Sequence, residues 1–283
     1  MIRIAFLGSD STHTEAFAQL INLPGAPFAG VAKVVAIQGL DPEQARHKAA
    51  ENGIGLAAAT VAEALDGIDL AMVIGRFADS HLEPALAAIE RGIPTFVDKP
   101  FTDTSAHAGV LIARARERQV ALCSSSPLRF AAEIAALSAS QPATFLASAP
   151  AVCTDLGPDP RLNSAFFYGI HALEMLLELA GHDIETKQIT YGRRFINVHL
   201  DMKSGNAAQL QLVRGTPEFY SIGRIDSTGQ KLANVALDGS YYRAELRYIL
   251  GEFLPGKRSI PLESSAAAVA LLEEIDANDR FRT

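Results

Sequence analysis

The chain is short of cysteine and of concentrated positive charge, and it lacks long apolar runs. Its two cysteines, Cys123 and Cys153, do not form a CxxC pair, so no zinc knuckle or dithiol redox motif is present. Lysine and arginine total 25 against 32 acids, a formal net charge of −7. No basic stretch would follow a polyphosphate backbone, which excludes a nucleic-acid partner. No run reaches the roughly 18 apolar residues that a membrane span requires. The opening Met-Ile-Arg-Ile-Ala-Phe-Leu-Gly reads as a strand and not as a signal peptide, so the expected setting is the cytoplasm, with thiols reduced.

What remains is an ordinary globular composition, 48% hydrophobic and 20% charged, over 283 residues. That length suits two domains. Ile2–Leu7 is an apolar run ending at Gly8, and a helical pattern follows to about Leu23. Pro24, Gly25 and Pro27 stop it. A second apolar run covers 31–37, and Asp41-Pro42-Glu43 reads as N-cap, first-turn proline and early acid of a helix ending near Glu51. Helices predicted at 60–65, 80–91 and Ser105–Arg118 alternate with strands at 69–74, 95–97 and 120–123. This alternation predicts a doubly wound parallel sheet of Rossmann type over residues 1–122.

The rhythm then changes. Helices are predicted at 129–137, 166–180, 242–253 and 264–277. Strand-like runs at 187–191, Phe195–Met202, Ala207–Val213, 220–226 and 231–236 are joined by turn sequences such as Lys203-Ser204-Gly205-Asn206 and Asp238-Gly239. Residues 123–283 therefore read as an α+β domain with a mostly antiparallel sheet.

In a doubly wound sheet the first strand-to-helix turn holds phosphates, through free amides and the positive end of the helix dipole. Here that turn is Gly8-Ser9-Asp10-Ser11-Thr12-His13. Of the three glycines of a GxGxxG fingerprint only the first is kept; Asp10 and His13 replace the others. Asp10 and Ser11 also suit plain helix caps. The end of the second strand, where an acid would bind a ribose, offers Gln38 and Gly39, while Asp41 is better placed as a cap. His182-Asp183 and His199-Leu200-Asp201 lack ligand partners at metal-binding spacing, so no metal site is expected.

Four further segments carry a resemblance that runs from Ile2 to about Ala277. They are His81-Leu82-Glu83, Phe96-Val97-Asp98-Lys99-Pro100, Ser124-Ser125-Ser126-Pro127-Leu128-Arg129-Phe130, and Phe166-Phe167-Tyr168-Gly169-Ile170-His171. Together they resemble the Gfo/Idh/MocA oxidoreductases, named for glucose-fructose oxidoreductase and inositol dehydrogenase. The resemblance implies NAD or NADP as cofactor. Gly8, Ser9, Ser11, Thr12, His13, Gln38, Gly75, Arg76, His81, Asp98 and Lys99 would line the cofactor.

Asp98-Lys99-Pro100 matches the family's acid-Lys-Pro motif, with aspartate in place of the commoner glutamate. The resemblance places Lys99 between substrate and nicotinamide, where an ammonium can polarise a carbinol hydroxyl. By residue type alone Lys99 would equally be a surface lysine at a strand end. Gly169 and His171 match part of a DxGxHxxD motif whose acids are here Phe167 and Glu174. The resemblance makes His171 the proton-transferring group, a task that an imidazole suits. A core histidine on an amphipathic helix is the plainer reading. Arg129, Tyr168 and Glu174 would contact substrate, although Arg129 also suits an interdomain salt bridge.

The reading is thus an NAD(P)-dependent oxidoreductase acting on a polyol, sugar or hydroxy acid, assembled as a homodimer or homotetramer. Two alternatives stay open. One is a non-redox lyase, isomerase or epimerase that uses Lys99 and His171 for acid–base chemistry. The other is a binding protein that has lost catalysis.

Overall fold

The computed structural model describes residues 1–138, 142–157 and 159–280. Elements are numbered in chain order. The strands are β1 (Ile2–Leu7), β2 (Ala32–Gln38), β3 (Leu56–Ala57), β4 (Leu70–Val73), β5 (Thr95–Asp98), β6 (Leu122–Ser125), β7 (Thr144–Pro150), β8 (Ile184–Tyr191), β9 (Phe195–Met202), β10 (Ala207–Val213), β11 (Ser221–Asp226) and β12 (Gly229–Asn234). The helices are α1 (His13–Asn22), α2 (Pro42–Glu51), α3 (Val61–Ala64), α4 (Leu82–Glu90), α5 (Ser105–Arg118), α6 (Ala132–Ala135), α7 (Ala165–Ala180), α8 (Ser240–Tyr248) and α9 (Leu262–Asn278).

Contacts group these elements into two compact units. The first holds Met1–Ser125 and Tyr242–Leu262; the second holds Ser126–Tyr241 and the described residues from Glu263 onward. The returning segment Tyr242–Leu262 lies within the stretch that reads as second domain in the sequence. It contains most of α8 and a π-helical turn over Ile249–Phe253.

The first unit is a parallel sheet in the order β3-β2-β1-β4-β5-β6. Strand order reverses between β1 and β4, and ligands of such sheets bind at the carboxyl ends beside that switch. Ile4 to Leu7 of β1 are buried, as a strand covered on both faces must be. The Ile4, Phe6 and Leu7 side chains each contribute about 1.5–3 kcal/mol by leaving water. The Asp41 cap behaves as read: its Oδ1 accepts from the amides of Glu43 (2.9 Å) and Gln44 (3.2 Å), with Pro42 opening α2.

The second unit is a sheet in the order β12-β11-β7-β10-β9-β8. Pairing is antiparallel throughout except for β7 with β10. The mixed α/β class therefore holds, with a mostly antiparallel second sheet. β7 is a central strand that the sequence reading omitted. Its Ala147, Ser148, Ala149 and Pro150 have weak strand propensity, and pairing on both sides overrides it. The helix expected at 129–137 is instead a 3₁₀ turn, Pro127–Phe130, followed by the single turn α6. Ala131 between them is extended (φ −62°, ψ 144°), which breaks the helix. Arg129, just before the break, is anchored by its side chain, as described below.

Candidate functional site

Site residues in the first unit gather at the carboxyl ends of β1, β4 and β5. Gly8 follows β1 at φ +127°, and a Cβ there would fall 2.3 Å from the Gly75 amide nitrogen. Glycine is thus required by both backbone angle and close approach. The Asp10 carboxylate accepts from the Arg76 amide (3.1 Å), and Arg76 Nε donates to the Asp10 carbonyl (2.8 Å). The acid in the second glycine position is therefore latched to the turn after β4, with an arginine beside it. Ser11 Oγ accepts from the His13 amide at 3.1 Å, while Thr12, the N-cap of α1, makes no side-chain capping bond. Helix amides near Gly8 and the Arg76 cation give this turn a donor set that fits a diphosphate. Residues at the end of β2 are turned inward. Gln38 Nε2 donates to the Gly39 carbonyl at 2.9 Å, and Ser9 Oγ donates to Gln44 Oε1 at 3.0 Å. A Cβ on Gly39 would sit 1.9 Å from Ser9 Oγ, so the missing side chain at 39 makes room for Ser9.

The Asp98-Lys99-Pro100 segment ends β5 with a cis Lys99–Pro100 peptide. Asp98 and Lys99 are buried, at 1% and 7% exposure. Asp98 Oδ1 accepts the Lys99 amide at 2.8 Å, and Oδ2 faces His13 Nδ1. Burial pushes the Asp98 carboxyl upward, but His13, Lys99 and His81 together pull it below its ordinary value. His81 is fully buried between two carbonyls, Nδ1 at 2.9 Å from Pro100 and Nε2 at 2.9 Å from Gly75. It ties the turn after β4 to the turn after β5.

The second unit carries the other set of residues, on and around α7. Ser164 caps this helix, accepting from the Phe166 amide at 3.1 Å. His171 is buried with its Nδ1 2.6 Å from Ser126 Oγ, and Ser126 Oγ also accepts the Leu128 amide at 3.2 Å. The ring meets Tyr220 edge-on at 5.3 Å, and Tyr220 meets Tyr168 at 6.3 Å. Tyr168 donates to Asp155, 2.8 Å from Oδ1, and Cys153 Sγ lies 3.2 Å from the same oxygen. Burial, then the Cys153 and Asp155 contacts, raises the Tyr168 phenol well above its ordinary value. Asp155 is held below its own despite the opposing effect of burial, because Tyr168 and Cys153 hydrogen-bond its carboxylate.

Arg129 and Glu174 bind each other. Glu174 is fully buried, and its Oε2 accepts from Arg129 Nε (2.9 Å) and from the Ser126 amide (2.7 Å). The remaining guanidinium nitrogens reach Glu178 Oε2 and Ser264 Oγ, both at 2.8 Å. Desolvation works against the Arg129 charge, and the two glutamates reverse it, leaving the pKa raised. This arrangement is a salt bridge within the second unit, not the interdomain one that the sequence left open as an alternative, and every nitrogen of the guanidinium is engaged in it.

Ser9, Asp10, His13, Arg76, His81, Asp98 and Lys99, all singled out in the sequence, follow the carboxyl ends of β1, β4 and β5. Sequence reasoning did not find the Ser126 partner of His171, or Asp155, or Tyr220. Only the serine run before Arg129 signalled Ser126; Asp155 and Tyr220 lie in segments without a motif. Among the described residues no cluster of three or more metal-ligating side chains occurs, and no helix is long and apolar enough to cross a membrane.

Comparison with known proteins follows the same division. The profile of the oxidoreductase family with an NAD-binding Rossmann fold, Gfo/Idh/MocA, matches residues 2–126. A dehydrogenase of Aspergillus oryzae, aclE, is 30% identical over 139 residues, which is 47% of this chain and 38% of that protein. The chain thus spans well under half of this curated relative. Two solved structures share the whole fold at 16% identity. GenD2 of gentamicin A biosynthesis, in complex with NAD, has a TM-score of 0.78 over 98% of this chain and 94% of its own. An oxidoreductase of Agrobacterium radiobacter, in complex with NAD+, L-tartaric acid and magnesium, has a TM-score of 0.77 over 98% and 96%. Residues 2–126 thus match the NAD-binding Rossmann domain of the Gfo/Idh/MocA oxidoreductases, and the solved structures share the fold of the rest.

Proposed function

We propose that the chain is an NAD(P)-dependent oxidoreductase that interconverts a secondary alcohol and a ketone on a polyol, sugar or hydroxy acid. The observation that carries this reading is the buried Lys99 at the carboxyl end of β5, in a domain matched by an NAD-binding family profile. When bound, the nicotinamide supplies or accepts the hydride. Gly8, Ser11, Thr12 and Arg76 would hold its diphosphate, and Asp98 and His81 would support the turn that bears Lys99.

Oxidation removes a hydride from the carbinol carbon and a proton from its oxygen. Lys99, as an ammonium, stabilises charge developing on that oxygen. His171, in the second unit, has the chemistry to take a proton. With Nδ1–H donating to Ser126 Oγ, the other ring nitrogen carries the lone pair a base needs, and the same bond persists when the ring becomes an imidazolium. Ser126 therefore suits both stages of the transfer. Tyr168, oriented by Asp155, would hydrogen-bond substrate hydroxyls. We further propose a cytoplasmic homodimer or homotetramer, which sedimentation of the purified protein tests.

Titration with NADH and NADPH, followed by nicotinamide fluorescence, tests the central reading. Saturable micromolar binding of either is expected. Absence of binding up to millimolar concentration overturns it.

A further inference from the structure

Two departures from the family pattern meet in the first unit. His13 stands where the fingerprint has its third glycine, and Asp98 where the acid-Lys-Pro motif commonly has glutamate. Their side chains face each other, His13 Nδ1 against Asp98 Oδ2, at 7% and 1% exposure. An aspartate is one methylene shorter than a glutamate and carries its carboxylate about 1.5 Å less far. A glycine at position 13 would leave one oxygen of that buried carboxylate without its facing imidazole. The imidazole fills this space, with Phe17 at 6.0 Å and Tyr242 at 5.0 Å edge-on to its ring. The other carboxylate oxygen holds the Lys99 amide at 2.8 Å. His13 from α1 is in contact with the Asp98 carboxylate, and the charges of Lys99, from its own strand end, and of His81, the residue before α4, also act on it.

We propose that His13 is a positioning residue for Lys99: by fixing the Asp98 carboxylate it sets the orientation and charge environment of the lysine. His13 and Asp98 are then one matched replacement. This inference rests on the functional reading only in giving Lys99 a catalytic task; the coupling itself belongs to the apoprotein.

The test follows the Lys99 side-chain ammonium by NMR in apoprotein labelled with ¹⁵N-lysine, its resonance assigned with Lys99→Arg. In His13→Gly the Lys99 titration midpoint should move by about one pH unit, a tenfold change in proton affinity. His13→Asn keeps a donor near the Nδ1 position and should stay near wild type. The double variant His13→Gly/Asp98→Glu should restore the midpoint. If His13→Gly does not fold, the comparison is made in the Asp98→Asn background, where His13→Gly leaves no buried carboxylate unfaced; adding His13→Gly to Asp98→Asn should change nothing further. An unmoved midpoint in His13→Gly, a double variant that behaves like His13→Gly, or a further shift in the Asp98→Asn background overturns the proposal. Wild type that binds neither NADH nor NADPH while Lys99 still responds to His13 removes the functional reading alone.

Discussion

The two units accommodate departures from the family pattern in opposite ways. In the first unit the altered residues acquire new partners nearby: Asp10 is latched to Arg76, and His13 faces Asp98. In the second unit one altered position carries an aromatic ring and the other a buried acid. Phe167 replaces an acid, and a carboxylate enters from the loop at Asp155, on Tyr168. Glu174 replaces a second acid and is drawn into the core by Arg129. A buried charge persists only where an opposite charge or donors meet it. A substitution at such a site is therefore tolerated through a neighbour and not through its own chemistry.

Several variants would break or sharpen this comparison. The largest effect is expected for Lys99→Ala, which should lower turnover about 10²–10⁴-fold while the Kd for NADH changes little. A steady-state assay on a polyol and hydroxy-acid panel measures it, and undiminished turnover would remove Lys99 from the mechanism. Next is Arg129→Met, which strands the buried Glu174. A loss of about 3–5 kcal/mol is expected in urea unfolding. A change below 1 kcal/mol would show that the pair is not structural. Ser126→Ala should come third, lowering kcat about tenfold with the fold intact, because His171 loses the partner that fixes its ring. An equal drop in thermal midpoint and activity would assign Ser126 to stability instead.

The pH dependence follows from Asp98. Its folded pKa is depressed, so its contribution to stability is fully present above the unfolded value of about 3.9 and is lost as pH falls through the lower folded value. Thermal midpoints measured at descending pH should show this loss in wild type and not in Asp98→Asn. The smallest effect belongs to Arg76→Ala. It removes one partly buried hydrogen bond to the Asp10 carbonyl, worth about 0.5–1.5 kcal/mol of stability, and should also weaken NADH binding; unchanged NADH affinity would remove Arg76 from the diphosphate site.

Local rules made much of the fold legible. The Asp41 cap and the full length of α5 follow from signals within a few residues, because capping bonds and helical periodicity are short-range. Lys99 and His171 were legible through their motifs. Arg129 was visible as a residue, but its role was not, since Glu178 and Ser264 lie 49 and 135 positions away. β7 was missed because its small residues carry little strand preference, and its neighbours β10 and β11 come from far along the chain.

The sequence by itself determined the alternation of strands and helices in the first unit, apart from the two-residue β3, and which residues sit at its strand ends. Those properties rest on periodicity, caps and turns, which act between near neighbours. Tertiary structure alone decided that His13 faces Asp98, that Ser126 holds His171, that Asp155 reaches Tyr168, and that Tyr242–Leu262 returns to the first unit. Such pairings depend on burial and charge compensation between distant segments, and no local pattern encodes them.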